Sequence, residues 1–174
     1  IVPILARGYK QAEEAEWSTR KPASKFFVRQ KKAEFAEALQ MAAGVVVDAL
    51  ADREMLNPGA ATNIGVRVFA NDGSPVKVVK TSVKVPAGWS AESIAEPEQP
   101  AATGFRPRNE SALNASFFKL TAAANASPTQ PYWLERPREK FTFDWSMAGI
   151  SQNMPFAEPL ATAESVLEIG GQEI

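Results

Sequence analysis

The chemistry open to this chain is set by a few carboxylates, four large aromatics and the complete absence of histidine and cysteine. Glycoside hydrolysis needs only two acids flanking the scissile bond, and Asp48 or Asp52, Glu135, Glu139 and Asp144 are the candidates. Glu135 and Glu139 alternate with Arg136, Arg138 and Lys140, the pattern of a solvated charged loop. Nothing in the sequence pairs these acids or perturbs them, so they read as surface charge. The missing residue types exclude more. A catalytic zinc normally keeps at least one histidine ligand, and serine and cysteine nucleophiles of the triad type need an imidazole base. No Gly-rich phosphate loop occurs, Gly170-Gly171 being a turn, and no Asp/Asn-rich loop has calcium-binding spacing. The sequence therefore supports no catalytic residue, metal ligand or cofactor in this chain.

The aromatics are the better binding candidates. Trp89, Tyr132, Trp133 and Trp145 are the residue types that stack on sugar rings, whose apolar C–H faces lie against aromatic ones. The competing reading makes them anchors of a core or a crossover. Pro128-Thr129-Gln130-Pro131 precedes Tyr132-Trp133-Leu134, and two prolines with fixed φ suit a pinned crossover better than a solvated linker. Trp89 follows the turn Pro86-Ala87-Gly88, where a tryptophan can plug the end of a β-sandwich. On the anchor reading, Trp133 and Phe117 are among the most buried aromatics.

The elements that must position these residues are read from periodicity. Residues 3–17 are rich in Ala, Glu, Lys and Gln, a helix-favouring mix. Pro22 suits a first helical turn, with Thr19 or Ser24 as the N-cap. From Lys25 to Ala43 the pattern is that of an amphipathic helix, with Val28, Phe35, Leu39 and Ala42 on one stripe. At Gly44 the period changes to two. Strands are expected at 45–50, at 62–68 and from Val76 to Val85, the last with a bulge near Val78-Val79 because its early valines fall out of phase. Further strands are expected at 89–94, 117–121, 140–145 and 161–169, and Glu96 to Asn114 reads as a loop. Short strands separated by turn residues argue for a sandwich. The expected architecture is mainly β: two N-terminal helices followed by an immunoglobulin-like antiparallel β-sandwich.

Composition limits the partners. The formal net charge of −1, from 19 basic and 20 acidic residues, is not the clustered positive surface that a nucleic-acid binder needs. No stretch approaches the ~18 apolar residues of a membrane span, and none has the pattern of a signal peptide. Neither nucleic acid nor membrane is an expected partner. Ile1-Val2-Pro3 at one end and Gly170-Gly171-Gln172-Glu173-Ile174 at the other give the expectation of a fragment of a larger protein.

Several segments, taken in order, resemble the region that follows the catalytic domain in large bacterial zinc deacetylases of the PIG-L (LmbE-like) family. They are Ala36-Glu37-Ala38-Leu39-Gln40-Met41-Ala42-Ala43-Gly44, the Asn57-Pro58-Gly59 turn and the Val-rich hairpin closing at Pro86-Ala87-Gly88-Trp89. Thr129-Gln130-Pro131-Tyr132-Trp133 and Asn153-Met154-Pro155-Phe156 continue the series. That region resembles immunoglobulin-like modules associated with some α-galactosidases. The family's catalytic His-Pro-Asp-Asp motif and later histidine pair are absent, so no catalytic residue carries over. What the resemblance implies is a non-catalytic follow-on to a zinc-dependent N-acetyl-sugar deacetylase, the zinc belonging to that other domain. Residues 1–43 would dock on the catalytic domain, 44–160 would be the sandwich, and 161–174 a terminal strand or the start of a further β-domain. Exported members of this type are common, which is compatible with an extracytoplasmic location. A docking scaffold, a carbohydrate-binding module and a stand-alone acid-pair hydrolase are the three functional readings, and the scaffold is favoured.

Overall fold

The computed structural model describes residues 1–97 and 112–174. Most of the segment read as a loop between Glu96 and Asn114 lies outside the described residues. Two helices, α1 (Val2–Ser18) and α2 (Pro22–Ala43), form a hairpin and are followed by β1 (Val46–Ala51), β2 (Ala61–Phe69), β3 (Val76–Lys84), β4 (Ser90–Ile94), β5 (Asn114–Thr121), β6 (Thr162–Ile169) and β7 (Gln172–Glu173). The strands make two antiparallel sheets, ordered β1-β2-β5-β4 and β3-β6-β7.

The helices form where the sequence predicts, with one correction at the start of α2. Lys21, extended and without a side-chain cap bond, is the N-cap in place of Thr19 or Ser24, and Pro22 opens the helix. Proline at the first position lacks only an N–H that would have had no partner there. Polar pairs hold the hairpin in register: Lys32 Nζ lies 2.8 Å from Glu13 and 3.7 Å from Glu16, and Arg29 Nε lies 2.7 Å from Glu16. The bond to Glu13 raises the Lys32 ammonium above its ordinary pKa, and the bond from Arg29 lowers the Glu16 carboxyl. These are surface pairs that orient the helices more than they stabilise them.

Gly44 converts the second helix into the first strand. Its φ of +66° closes the helix with bonds from Gly44 N–H to Met41 O (3.1 Å) and from Val45 N–H to Gln40 O (2.9 Å), a Schellman arrangement that satisfies two end carbonyls. A Cβ at this position would collide with the Asn71 side chain. Asn71 in turn donates its backbone N–H to Ala43 O at 3.0 Å, tying the β2–β3 turn to the helix end. Gly44→Ala is expected to cost about 2 kcal/mol, combining the left-handed penalty with displacement of Asn71. Urea unfolding of the two proteins measures it; an unchanged midpoint would refute the role of this cap.

Two apolar clusters organise the interior. The first joins the helices to both sheets: Val2, Ala6 and Tyr9 of α1 and Leu39 and Ala43 of α2 meet Val68, Val76, Leu167 and Ile169. Tyr9 keeps its hydroxyl satisfied by donating to Glu173 O at 3.2 Å. The second cluster is Ile64, Val66, Phe118 and Leu120 of the first sheet, with Val83, Val85, Trp89, Ala161 and Ala163 packed against it. Along β2 burial alternates residue by residue, with Thr62, Ile64, Val66 and Val68 buried, as a strand with one core-facing side requires.

The bulge expected near Val78-Val79 is present. The β3–β6 register shifts between Val78 and Lys80, so Val76 and Val78 reach the first cluster while Val79 is 53% exposed. Three expectations are corrected. Lys140–Trp145 is no strand: Lys140 has φ +51°, and Glu139 and Thr142 exchange backbone bonds across a tight turn, leaving Phe141 95% exposed. Phe118, not Phe117, is the buried phenylalanine of β5. Neighbouring strand residues point to opposite faces, and Phe117 covers Gly65 on the outer face, where a Cβ on that glycine would lie 3.3 Å from its ring. Trp133 is only half-buried, and Tyr132 is the deeply buried aromatic beside it. The last strand, expected at 161–169, forms as β6 (Thr162–Ile169), pairs with β3 along its length and so belongs to the second sheet.

Candidate functional site

The connection from β5 in the first sheet to β6 in the second is long, and it carries three of the four candidate aromatics. A 3-10 turn over Tyr132–Leu134 opens at Pro131 and directs Tyr132 inward. Tyr132 is 5% exposed and donates its hydroxyl to Met154 O at 3.0 Å. Trp133 and Trp145 stand edge-on to the Tyr132 ring, with centroids 5.0 and 6.0 Å away and interplanar angles of 85° and 80°. Edge-to-face packing is a favoured aromatic geometry and adds roughly 0.5–1.5 kcal/mol per pair beyond area burial. The three rings thus make a packed node with Tyr132 at its centre and the two tryptophans half-buried around it. The Trp145 Nε1–H is buried and has no acceptor among the described residues.

Asp144 fastens the same node. One carboxylate oxygen accepts from Ser146 N–H at 2.9 Å and the other from Arg136 at 2.9 Å. Bonds from Ser146, then the Arg136 guanidinium, hold the Asp144 carboxyl below its ordinary pKa. A carboxyl lowered in the folded state stabilises it above the unfolded pKa and loses that contribution as pH falls through the folded one. Trp145 fluorescence is therefore expected to shift below about pH 4, the ordinary carboxylate range, with Asp144→Asn removing that transition. A transition that survives Asp144→Asn would assign it elsewhere.

Trp89 lies apart from this node. It is half-buried, packs against the second apolar cluster and borders a cavity of about 760 Å³. Pro86, Ala87 and Trp89 line it together with Pro128, Thr129 and Gln130 and with Glu135, Glu158 and Leu160. The two segments that the sequence singles out, Pro86–Trp89 and Pro128–Leu134, therefore meet at one concavity. This gives an aromatic and aliphatic surface with amide, hydroxyl and carboxylate groups around it, the general composition of small-molecule sites.

Among the candidate acids only Glu135 borders the cavity. Asp52 accepts from Asn63 Nδ2 at 3.0 Å, Asp48 sits opposite Arg67, and Asp144 is engaged by Arg136. Glu158, the second carboxylate at the rim, went unrecognised in the sequence. It lies in the Pro/Ala/Glu stretch before β6, with no motif to mark it, and only the tertiary fold brings it to the same cavity as Glu135. Among the described residues no group of three or more Asp or Glu side chains is placed to hold a metal ion, and no helix is long and apolar enough to cross a membrane. Comparison with protein-family models, with curated proteins and with solved structures finds no match to this chain.

Proposed function

We propose that this chain is a non-catalytic accessory module: an immunoglobulin-like sandwich carrying a helical hairpin that docks on the catalytic domain of a zinc-dependent N-acetyl-sugar deacetylase. The sandwich is supported by strand order. A constant-type immunoglobulin domain has sheets ABED and CFG, and β1-β2-β5-β4 with β3-β6-β7 is that order when β1 to β7 are lettered A to G. The second apolar cluster, drawn from both sheets, is the interior such a sandwich needs.

The observation that carries the docking role is the turn end of the hairpin. Trp17 is 86% exposed and Phe26 and Phe27 are 65% and 64% exposed, three large apolar side chains where α1 passes into α2. Grouped exposure of this kind marks interaction surfaces. The deacetylase as partner rests on the resemblance of the helix end, the Asn57-Pro58-Gly59 turn and the two proline-aromatic segments. The test mixes this chain with the deacetylase domain of its own gene product. Binding that weakens at least about tenfold in Phe26→Ala/Phe27→Ala, with unchanged circular dichroism, is the expected result; about tenfold is 1.4 kcal/mol. A gene product without such a domain, or binding indifferent to both phenylalanines, would remove this reading.

A second reading, carbohydrate binding, is favoured by the Trp89 cavity. It makes Trp89 the stacking surface and Gln130, Glu135 and Glu158 the hydrogen-bonding rim, with the Tyr132, Trp133 and Trp145 node holding the facing segment. Quenching or enhancement of tryptophan fluorescence by N-acetylated oligosaccharides, lost in Trp89→Ala and retained in Trp145→Phe, supports it. No response across chitin-derived and peptidoglycan-derived fragments would eliminate it.

A further inference from the structure

We infer that the Trp89 cavity takes a cationic sugar, one that carries a free amino group, in preference to its N-acetylated counterpart. The inference rests on the carbohydrate reading of this cavity and adds to it the charge of the ligand.

The charge follows from what lines the cavity and what does not. Three stretches contribute, 86–89, 123–135 and 157–160, and among the described residues the charged side chains that line it are the carboxylates of Glu135 and Glu158. No Lys or Arg occurs in 85–97, in 120–135 or in 141–174. The basic residues that flank the lining stretches are engaged elsewhere. Lys84 pairs with Glu164 and Arg136 with Asp144, and Lys119 stands opposite Glu92 on the outer face of the first sheet. Neither Glu135 nor Glu158 has an ion-pair partner among the described residues.

A concavity lined by one sign of charge raises the local concentration of the opposite sign and repels its own. A carboxylate binds an ammonium group through a charge-assisted hydrogen bond, stronger than the bond it makes to a neutral amide. Tryptophan is also the aromatic side chain that best attracts a cation, and the half-buried Trp89 lines the same cavity. Acetylation of the amine removes its charge and with it both attractions.

The rest of the lining selects a sugar over a bare cation. The volume of about 760 Å³ lies within the roughly 300–1,000 Å³ of small-molecule sites, more room than a lone ammonium group fills. Asn125, Thr129 and Gln130 supply neutral amide and hydroxyl groups for ring hydroxyls. The Trp89 indole supplies an aromatic surface for ring C–H groups. Ammonium, hydroxyls and ring face thus each have a complementary group in one cavity.

The experiment titrates the chain with a glucosamine trimer, with its N-acetylated counterpart and with trilysine, read by tryptophan fluorescence. At about pH 6 the carboxylates are ionised and the amines protonated. The glucosamine trimer is expected to bind at least about fivefold tighter than the acetylated one at low salt, a preference that exposed ion pairs can supply. High salt should erase it by screening. Glu135→Gln/Glu158→Gln, at two exposed positions without ion-pair partners, should erase it as well, with circular dichroism unchanged. Equal binding of the two sugars by the unaltered protein would overturn the charge assignment and leave the carbohydrate reading standing; no response to either would remove both. A preference that survives the double variant would place the selecting charge elsewhere and overturn the inference. So would trilysine binding as tightly as the amino sugar, since the carboxylates would then act on any cation.

Discussion

Phe118→Ala is expected to lower unfolding free energy by about 3–5 kcal/mol, the cost of deleting a buried phenylalanine and leaving a cavity. Its neighbour Phe117→Ala is expected to cost about 1–2 kcal/mol, reflecting a half-exposed ring. The two residues are adjacent and chemically identical, so the comparison isolates orientation. Phe118 is 8% exposed and packs with Ile64, Val66 and Leu120 in the second cluster. Val83 and Ala163, packed against this cluster, come from the other sheet, and both are held in strand pairing, so a void here would close only in part. Phe117 instead lies over Gly65 on the outer face, where water can replace it. Equilibrium denaturation of the two variants decides the matter, and equal losses would mean that β5 does not present the face described.

Leu39→Ala is expected to cost about 3–4 kcal/mol, within the range for fully buried leucines, and to loosen the helical hairpin from the sheets. Leu39 is 0% exposed and shares its cluster with Ala43, Val68, Val76, Leu167 and Ile169. It is the largest fully buried α2 side chain at the junction, and the neighbouring contacts from that helix are alanines and the half-buried Phe35. Ile169→Ala removes a facing side chain, so the double variant should lose less than the sum of the singles, the signature of residues in contact. Additive losses would place the two in separate cooperative units. Broadened circular dichroism melting in Leu39→Ala would further indicate that the hairpin unfolds apart from the sheets, which it would still meet through Val2, Ala6, Tyr9 and Ala43, the Asn71 N–H bond to Ala43 O and the Tyr9 hydroxyl bond to Glu173 O.

Much of the secondary structure was legible because it depends on near neighbours. The stripe of Phe35 and Leu39, the change of period at Gly44, the alternation in β2 and the misphased valines at the β3 bulge each record a local pattern that backbone geometry imposes. The strand expected at 140–145 fails for the complementary reason. Its alternation of Phe141 and Phe143 with polar residues fits a strand, but a strand needs a partner, and Lys140 turns the chain before one is met.

The candidate site divides in the same way. The absence of histidine and cysteine is a property of the sequence by itself, and it excludes imidazole- and thiolate-based chemistry in this chain whatever the fold. The sequence also marked Pro86–Trp89 and Pro128–Leu134 as constrained segments, because proline and glycine restrict the backbone locally. Only the tertiary structure decided that these segments line one cavity, that Glu158 lines it along with Glu135, and that Tyr132 rather than Trp133 is driven inward. Those outcomes depend on which distant residues become neighbours when two sheets and a helical hairpin close on shared cores, and one-dimensional periodicity carries no record of that.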